Sequence, residues 1–146
     1  MSFTSGASLT EHSGLVAAIS DTVAIANTAF SAGTITQLTL TDKVSLADMV
    51  LTVTMAVAPA AGARFHIYRR GMNIDGANHA PVPDANFKST YIGSFQLDLV
   101  NTIQYLDLDA VPIVADQEFY LENDTGQSTS GTTILKVNPR AYNVKA

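Results

Sequence analysis

A chain of 146 residues is long enough for one domain that buries roughly 70% of its unfolded surface, so no second domain need be sought. Its 47% apolar and 14% charged residues, against about a quarter charged in an average domain, imply a surface of neutral Thr, Ser, Asn, Gln and Ala or one covered by partners. A net charge of −5 argues against a basic, phosphate-tracking nucleic-acid binder, and the lack of cysteine excludes a disulfide framework and a thiolate metal site.

Residues 1–33 are rich in Ser, Ala, Thr and Gly, with two short apolar runs, Leu15 to Ile19 and Val23 to Ala26, that sustain neither a helical nor a strand period. This span is expected to be an N-terminal arm, irregular or weakly stranded, preceding a domain over 34–146. Its opening residues lack the basic and apolar regions of a secretory signal, and no run of about 18 apolar residues could span a bilayer. The expectation is a soluble protein made in the cytoplasm, with no membrane partner.

From Thr34 the period becomes two. Ile35 to Leu40 is a candidate strand whose phase slips between Ile35 and Leu38, which suggests a bulge. In 49–57 the odd positions Met49, Leu51, Val53, Met55 and Val57 are all apolar and Thr52 and Thr54 face the other way, the pattern of a strand with one buried side. Ala63 to Arg70 sets Phe65 and Ile67 against Arg64, His66, Tyr68 and Arg70. Tyr91 to Leu99 groups Tyr91, Phe95, Leu97 and Leu99. Leu106 and Leu108 turn inward with Asp107 in water, then Phe119 and Leu121, then Leu135 and Val137. Turns at Pro59-Ala60-Ala61-Gly62 and across 123–131 separate these runs. About seven or eight short strands and little helix make the predicted fold all-β, a single antiparallel sandwich or jelly roll.

Catalytic chemistry is hard to assemble. No G-x-S-x-G turn marks a serine, and His12, His66 and His79 are far apart in sequence. Asp107 with Asp109 and Glu118 with Glu122 share strand faces, which fits a solvated outer face better than a pair of glycosidase acids. Asn123-Asp124-Thr125 matches a glycosylation acceptor, a chance match without a secretory signal. The segment 71–89 holds Asn73, Asp75, Asn78, His79 and Asp84, but not at EF-hand spacing and without the closing glutamate, and His79 has no second nitrogen or sulfur ligand nearby. Neither metal nor cofactor is expected. The segment reads as a long surface connection of the kind that makes macromolecular contacts. The one basic concentration, Arg64 to Arg70, would either pair with the protein's own carboxylates or meet an acidic partner. The candidate partner-binding residues are therefore Arg64, His66, Tyr68, Arg70, Asn73, Asp75 and His79.

The C-terminal third, with Tyr91-Ile92-Gly93-Ser94-Phe95, Gln104-Tyr105, Glu118-Phe119-Tyr120-Leu121-Glu122-Asn123-Asp124-Thr125-Gly126-Gln127 and Ser130 to Pro139, resembles the capsid decoration, or cement, proteins of tailed bacteriophages. The resemblance covers about 50 residues of partly generic hairpin grammar and omits both the arm and 71–89. It implies a non-enzymatic jelly-roll virion protein on the capsid exterior, a dimer or trimer that bridges subunits of the major capsid protein and stabilises the shell. The rival reading is a carbohydrate- or receptor-binding module of a phage fibre, with Tyr68, Tyr91 or Tyr120 as a sugar platform. A small sandwich hydrolase is the third.

Overall fold

The computed structural model describes residues 7–12, 15–39, 44–88, 90–114 and 116–144. Every regular element among them is a strand: β1 (Ala7–His12), β2 (Val16–Asp21), β3 (Thr34–Ile35), β4 (Leu38–Thr39), β5 (Val44–Val53), β6 (Arg64–Gly71), β7 (Thr90–Gln96), β8 (Gln104–Pro112), β9 (Asp116–Asp124) and β10 (Thr133–Val144). They form a six-stranded sheet in the order β3-β2-β10-β5-β8, with β1 also on β10, and a four-stranded sheet in the order β4-β9-β6-β7, all pairings antiparallel. Apart from β1 and β3, the chain fills two sheets of four, β2-β10-β5-β8 and β4-β9-β6-β7, which is jelly-roll order.

The core lies between the sheets and follows the two-residue period. On β5, Ala47, Met49, Leu51 and Val53 are fully buried beside Leu135 and Val137 of β10, and Phe65, Ile67, Phe95, Phe119 and Leu121 of the other sheet complete the core. Each such Phe or Leu stabilises the fold by about 1.5–3 kcal/mol.

Four sequence expectations are corrected. Residues 22–33 are irregular, yet they are built into the sandwich and do not stand off as an arm. The amide of Ser31 donates to Leu121 O and that of Asn123 to Ala29 O, so 28–31 covers part of the edge of β9. Ile19 and Ala18 on β2 are fully buried. The buried Asp21 carboxylate accepts from the amides of Val23, Ala32 and Gly33. A Cβ at Gly33 would lie 2.6 Å from Asp21 Cα, so that approach requires glycine. The lack of a strand period hid this because the segment is held by backbone and carboxylate bonds.

The phase slip between Ile35 and Leu38 is a change of sheet: β3 pairs with β2 and β4 with β9. Tyr91 leaves the core because the β6–β7 register shifts between Ile67 and Tyr68; Ile92 packs against the core instead and Tyr91 is exposed on the outer face. Leu99 and Val57 lie beyond the ends of β7 and β5 and are exposed in turns.

Register places the loops. Asp21 lies opposite Thr133, Val53 opposite Gln104, and Arg64 opposite both Gln96 and Asp124. The connections β2–β3, β5–β6, β7–β8 and β9–β10 therefore emerge at one end, called here the four-loop end. Arg69 opposite Thr90, Gly71 opposite Gln117 and Ala47 opposite Val111 put β6–β7 and β8–β9 at the other.

Candidate functional site

On the outer face of the four-stranded sheet, β6 and β9 set basic and acidic side chains across from each other: His66 faces Glu122 and Arg70 faces Glu118. Arg70 Nη1 donates to Glu118 at 2.9 Å and its Nε to Ala80 O at 2.7 Å. His66 Nε2 lies 3.2 Å from the Asp124 carboxylate. The Tyr68 hydroxyl donates to Glu122 at 2.8 Å, and Lys88 Nζ meets the same carboxylate at 2.6 Å. Tyr120 donates to Glu118 at 2.8 Å. Arg64 is turned aside, its Nε donating to Gly62 O.

Most of the basic strip is thus matched by the protein's own carboxylates. Glu118 and Glu122 are not a solvated face either; Glu122 is buried, with Phe30 packing its ring 5.7 Å from that of Tyr68. Burial, reinforced by the hydrogen bond to Glu122, holds the Tyr68 phenol protonated well above the usual tyrosine range, and burial with the Glu118 bond raises Tyr120. Of the three tyrosines nominated as sugar platforms, Tyr68 and Tyr120 are buried and Tyr91 is exposed, its ring edge-on to His66 and Tyr68.

Beyond β6, the 72–88 connection is held by its own side chains. Asp75 accepts from the amides of Ala77 and Asn78 and from Asn78 Nδ2, and Asn73 N donates to His79 Nδ1. The Asn78 amide and side chain, with Ala77, lower the exposed Asp75 carboxyl to about 2. Asp84 likewise accepts from the amides of Asn86 and Phe87. These are local turns in which carboxylates bond nearby backbone. Asn73, Asp75 and His79 are therefore turn formers, and no group of three potential metal ligands assembles among the described residues. The loop exposes Ile74, Val82 and Phe87, and Met72 N donates to Asp116 O to anchor it to the β8–β9 side.

Sequence reading did not foresee the four-loop end. Its loops are tied to one another. Ile25 N donates to Thr129 Oγ1 and Thr129 N to Ile25 O, while Ala56 N donates to Ser128 O and Ser130 N to Thr54 O. The fully buried Asn123 donates through Nδ2 to Ile25 O and Gln127 O, and its Oδ1 accepts from Thr125 N and Oγ1. An asparagine so enclosed is no glycosylation acceptor in the folded protein. Gln104 closes the β7–β8 turn by accepting from Asp98 N and donating to the carbonyls of Asp98 and Val100. On this frame Val23, Val57, Leu99, Val100 and Ile103 are exposed, and across 22–33, 54–63, 97–103 and 125–132 the one charged side chain is Asp98. That scarcity of charge was the readable signal.

Comparison with protein-family models, with curated proteins and with solved structures finds no match for this chain.

Proposed function

We propose that the protein is a non-enzymatic structural subunit that attaches to the outside of a bacteriophage capsid and reinforces it by bridging subunits of the major capsid protein. The observation that carries this reading is the placement of exposed apolar side chains at both ends of a rigid jelly roll: Val57, Leu99 and Ile103 at one, Ile74, Val82 and Phe87 at the other. A bridge needs two attachment surfaces, and exposed apolar groups on a stable scaffold mark contact sites. The 72–88 end is the side proposed to meet the shell. It combines Ile74 and Phe87 with the charges of Asp75, Asp84 and Lys88, and such mixed chemistry fixes orientation on an unlike partner. Many modest contacts repeated over a shell then act together as a multivalent clamp. In this reading the subunit resides on the virion exterior after synthesis in the host cytoplasm and uses no cofactor.

A second reading, a glycan-binding fibre module, is favoured by the exposed ring of Tyr91 against His66, which itself bonds Asp124. Co-sedimentation of the purified protein with assembled particles separates the two. Saturable binding at fixed stoichiometry, weakened at least tenfold by Ile74→Asp with Phe87→Asp, supports the shell reading. Failure to bind particles, with low-micromolar glycan binding abolished by Tyr91→Ala, overturns it.

A further inference from the structure

We infer that the groove beside Arg69 is a binding site for an acidic side chain, flanked by an apolar one, on a peptide segment of a protein partner. Arg69 is set apart from the rest of the basic strip. It shares the strand parity of Phe65 and Ile67, which turn toward the core, and not that of Arg64, His66 and Arg70 on the outer face. It is half-buried there. The other three arginines have partners: Arg64 bonds Gly62 O, Arg70 bonds Glu118 and Ala80 O, and Arg140 bonds Asp48. Arg69 makes no hydrogen bond or ion pair among the described residues.

Arg69 lines a groove of about 450 Å³ where β6 runs into the 72–88 loop. Met72, Ile74 and Val114 supply apolar walls, and of these Ile74 and Val114 are open to solvent. The walls are in place before a partner arrives, since Ile74 N donates to Asn78 O and Met72 N to Asp116 O. A guanidinium partly withdrawn from water without a counter-charge is unfavourable, and a carboxylate is the group whose two oxygens match its fork of donors. Asp116 narrows the class further. It lines the same groove without an ion pair to Arg69, so a phosphate dianion meets more repulsion there than a singly charged carboxylate does. The walls select what flanks the carboxylate, because an aliphatic side chain covers Ile74 and Val114 where a free inorganic anion leaves them wet. A peptide carries both groups on one chain. The inference rests on the shell reading for the identity of the partner, because the groove lies at the 72–88 end, but its test needs no particle.

The intact protein would be titrated with the peptide acetyl-Ala-Leu-Glu-Leu-Ala-amide, its counterpart with Gln for Glu, butyrate and inorganic phosphate, with the Arg69 Nε–H and backbone amide signals followed by NMR. The expected result is saturable shifts at Arg69 Nε, Ile74 and Val114 with the Glu peptide, weakened about tenfold or more in the Gln peptide and in the Arg69→Gln variant. Asp116→Asn should tighten binding, and Arg64→Gln should leave it unchanged. The comparison of the two peptides needs no variant, so it decides the matter should Arg69→Gln fail to fold. No saturable shift up to about 10 mM Glu peptide overturns the inference. Equal binding of the Gln peptide overturns it too, as does butyrate or phosphate binding as tightly as the Glu peptide. Failure to bind particles while the Glu peptide still shifts Arg69 counts against the shell reading alone, and a silent Arg69 with particle binding intact counts against this inference alone.

Discussion

The two ends of the sandwich are built by opposite uses of polar residues. At the four-loop end, buried side chains bond between loops: Asn123 joins 25 to 127, Thr129 joins 25 to 129, and the exposed remainder of the loops is nearly uncharged. At the other end the 72–88 loop bonds to itself through exposed carboxylates, as Asp75 does over 75–78 and Asp84 over 84–87. The difference teaches where a perturbation travels. A change at the first end should loosen several loops and the strands they join, whereas a change at the second should stay within one turn.

Phe119→Ala, in the core beneath both ends, sets the scale. It should lower stability by about 3–5 kcal/mol in denaturant unfolding, and a loss under about 1 kcal/mol would contradict the inward assignment of β9. Asn123→Ala should follow, at about 1–3 kcal/mol, because it removes the side-chain bonds to the carbonyls of Ile25 and Gln127 and leaves the buried Thr125 amide without its acceptor. Its signature is faster amide exchange in both 22–28 and 125–130; exchange confined to 123–127 would break the comparison. Asp75→Ala should change global stability by less than about 0.5 kcal/mol and speed exchange only at Ala77 and Asn78. A carbon-detected titration of the Asp75 carboxyl should give a value near 2, below its ordinary 3.8. Since the folded value is depressed, its contribution to loop order is complete above about pH 4 and lost as pH falls through 2. A midpoint near 4 would mean that its amide bonds do not form in solution.

Much of the sandwich was legible because apolar side chains alternate where both walls are regular, as from Met49 to Val53 and at Phe119 and Leu121. The period failed where the backbone departs from it. The register shift beside Tyr68 moved Tyr91 outward, and the crossing from β3 to β4 looked like a bulge. Residues 22–33 escaped because nothing in a run of Ala, Thr and Asn announces that Asp21 and Asn123 will bind its backbone from 11 and 98 residues away. The basic strip was visible, but its neutralisation was not, since pairing with Glu118, Asp124 and Glu122 depends on strand order.

The most direct test of the account is hydrogen exchange of the intact protein measured with and without assembled particles. Attachment through the 72–88 end predicts added protection in 72–88 on binding. Protection gained only on β6 and β9, with 72–88 unaffected, would contradict it.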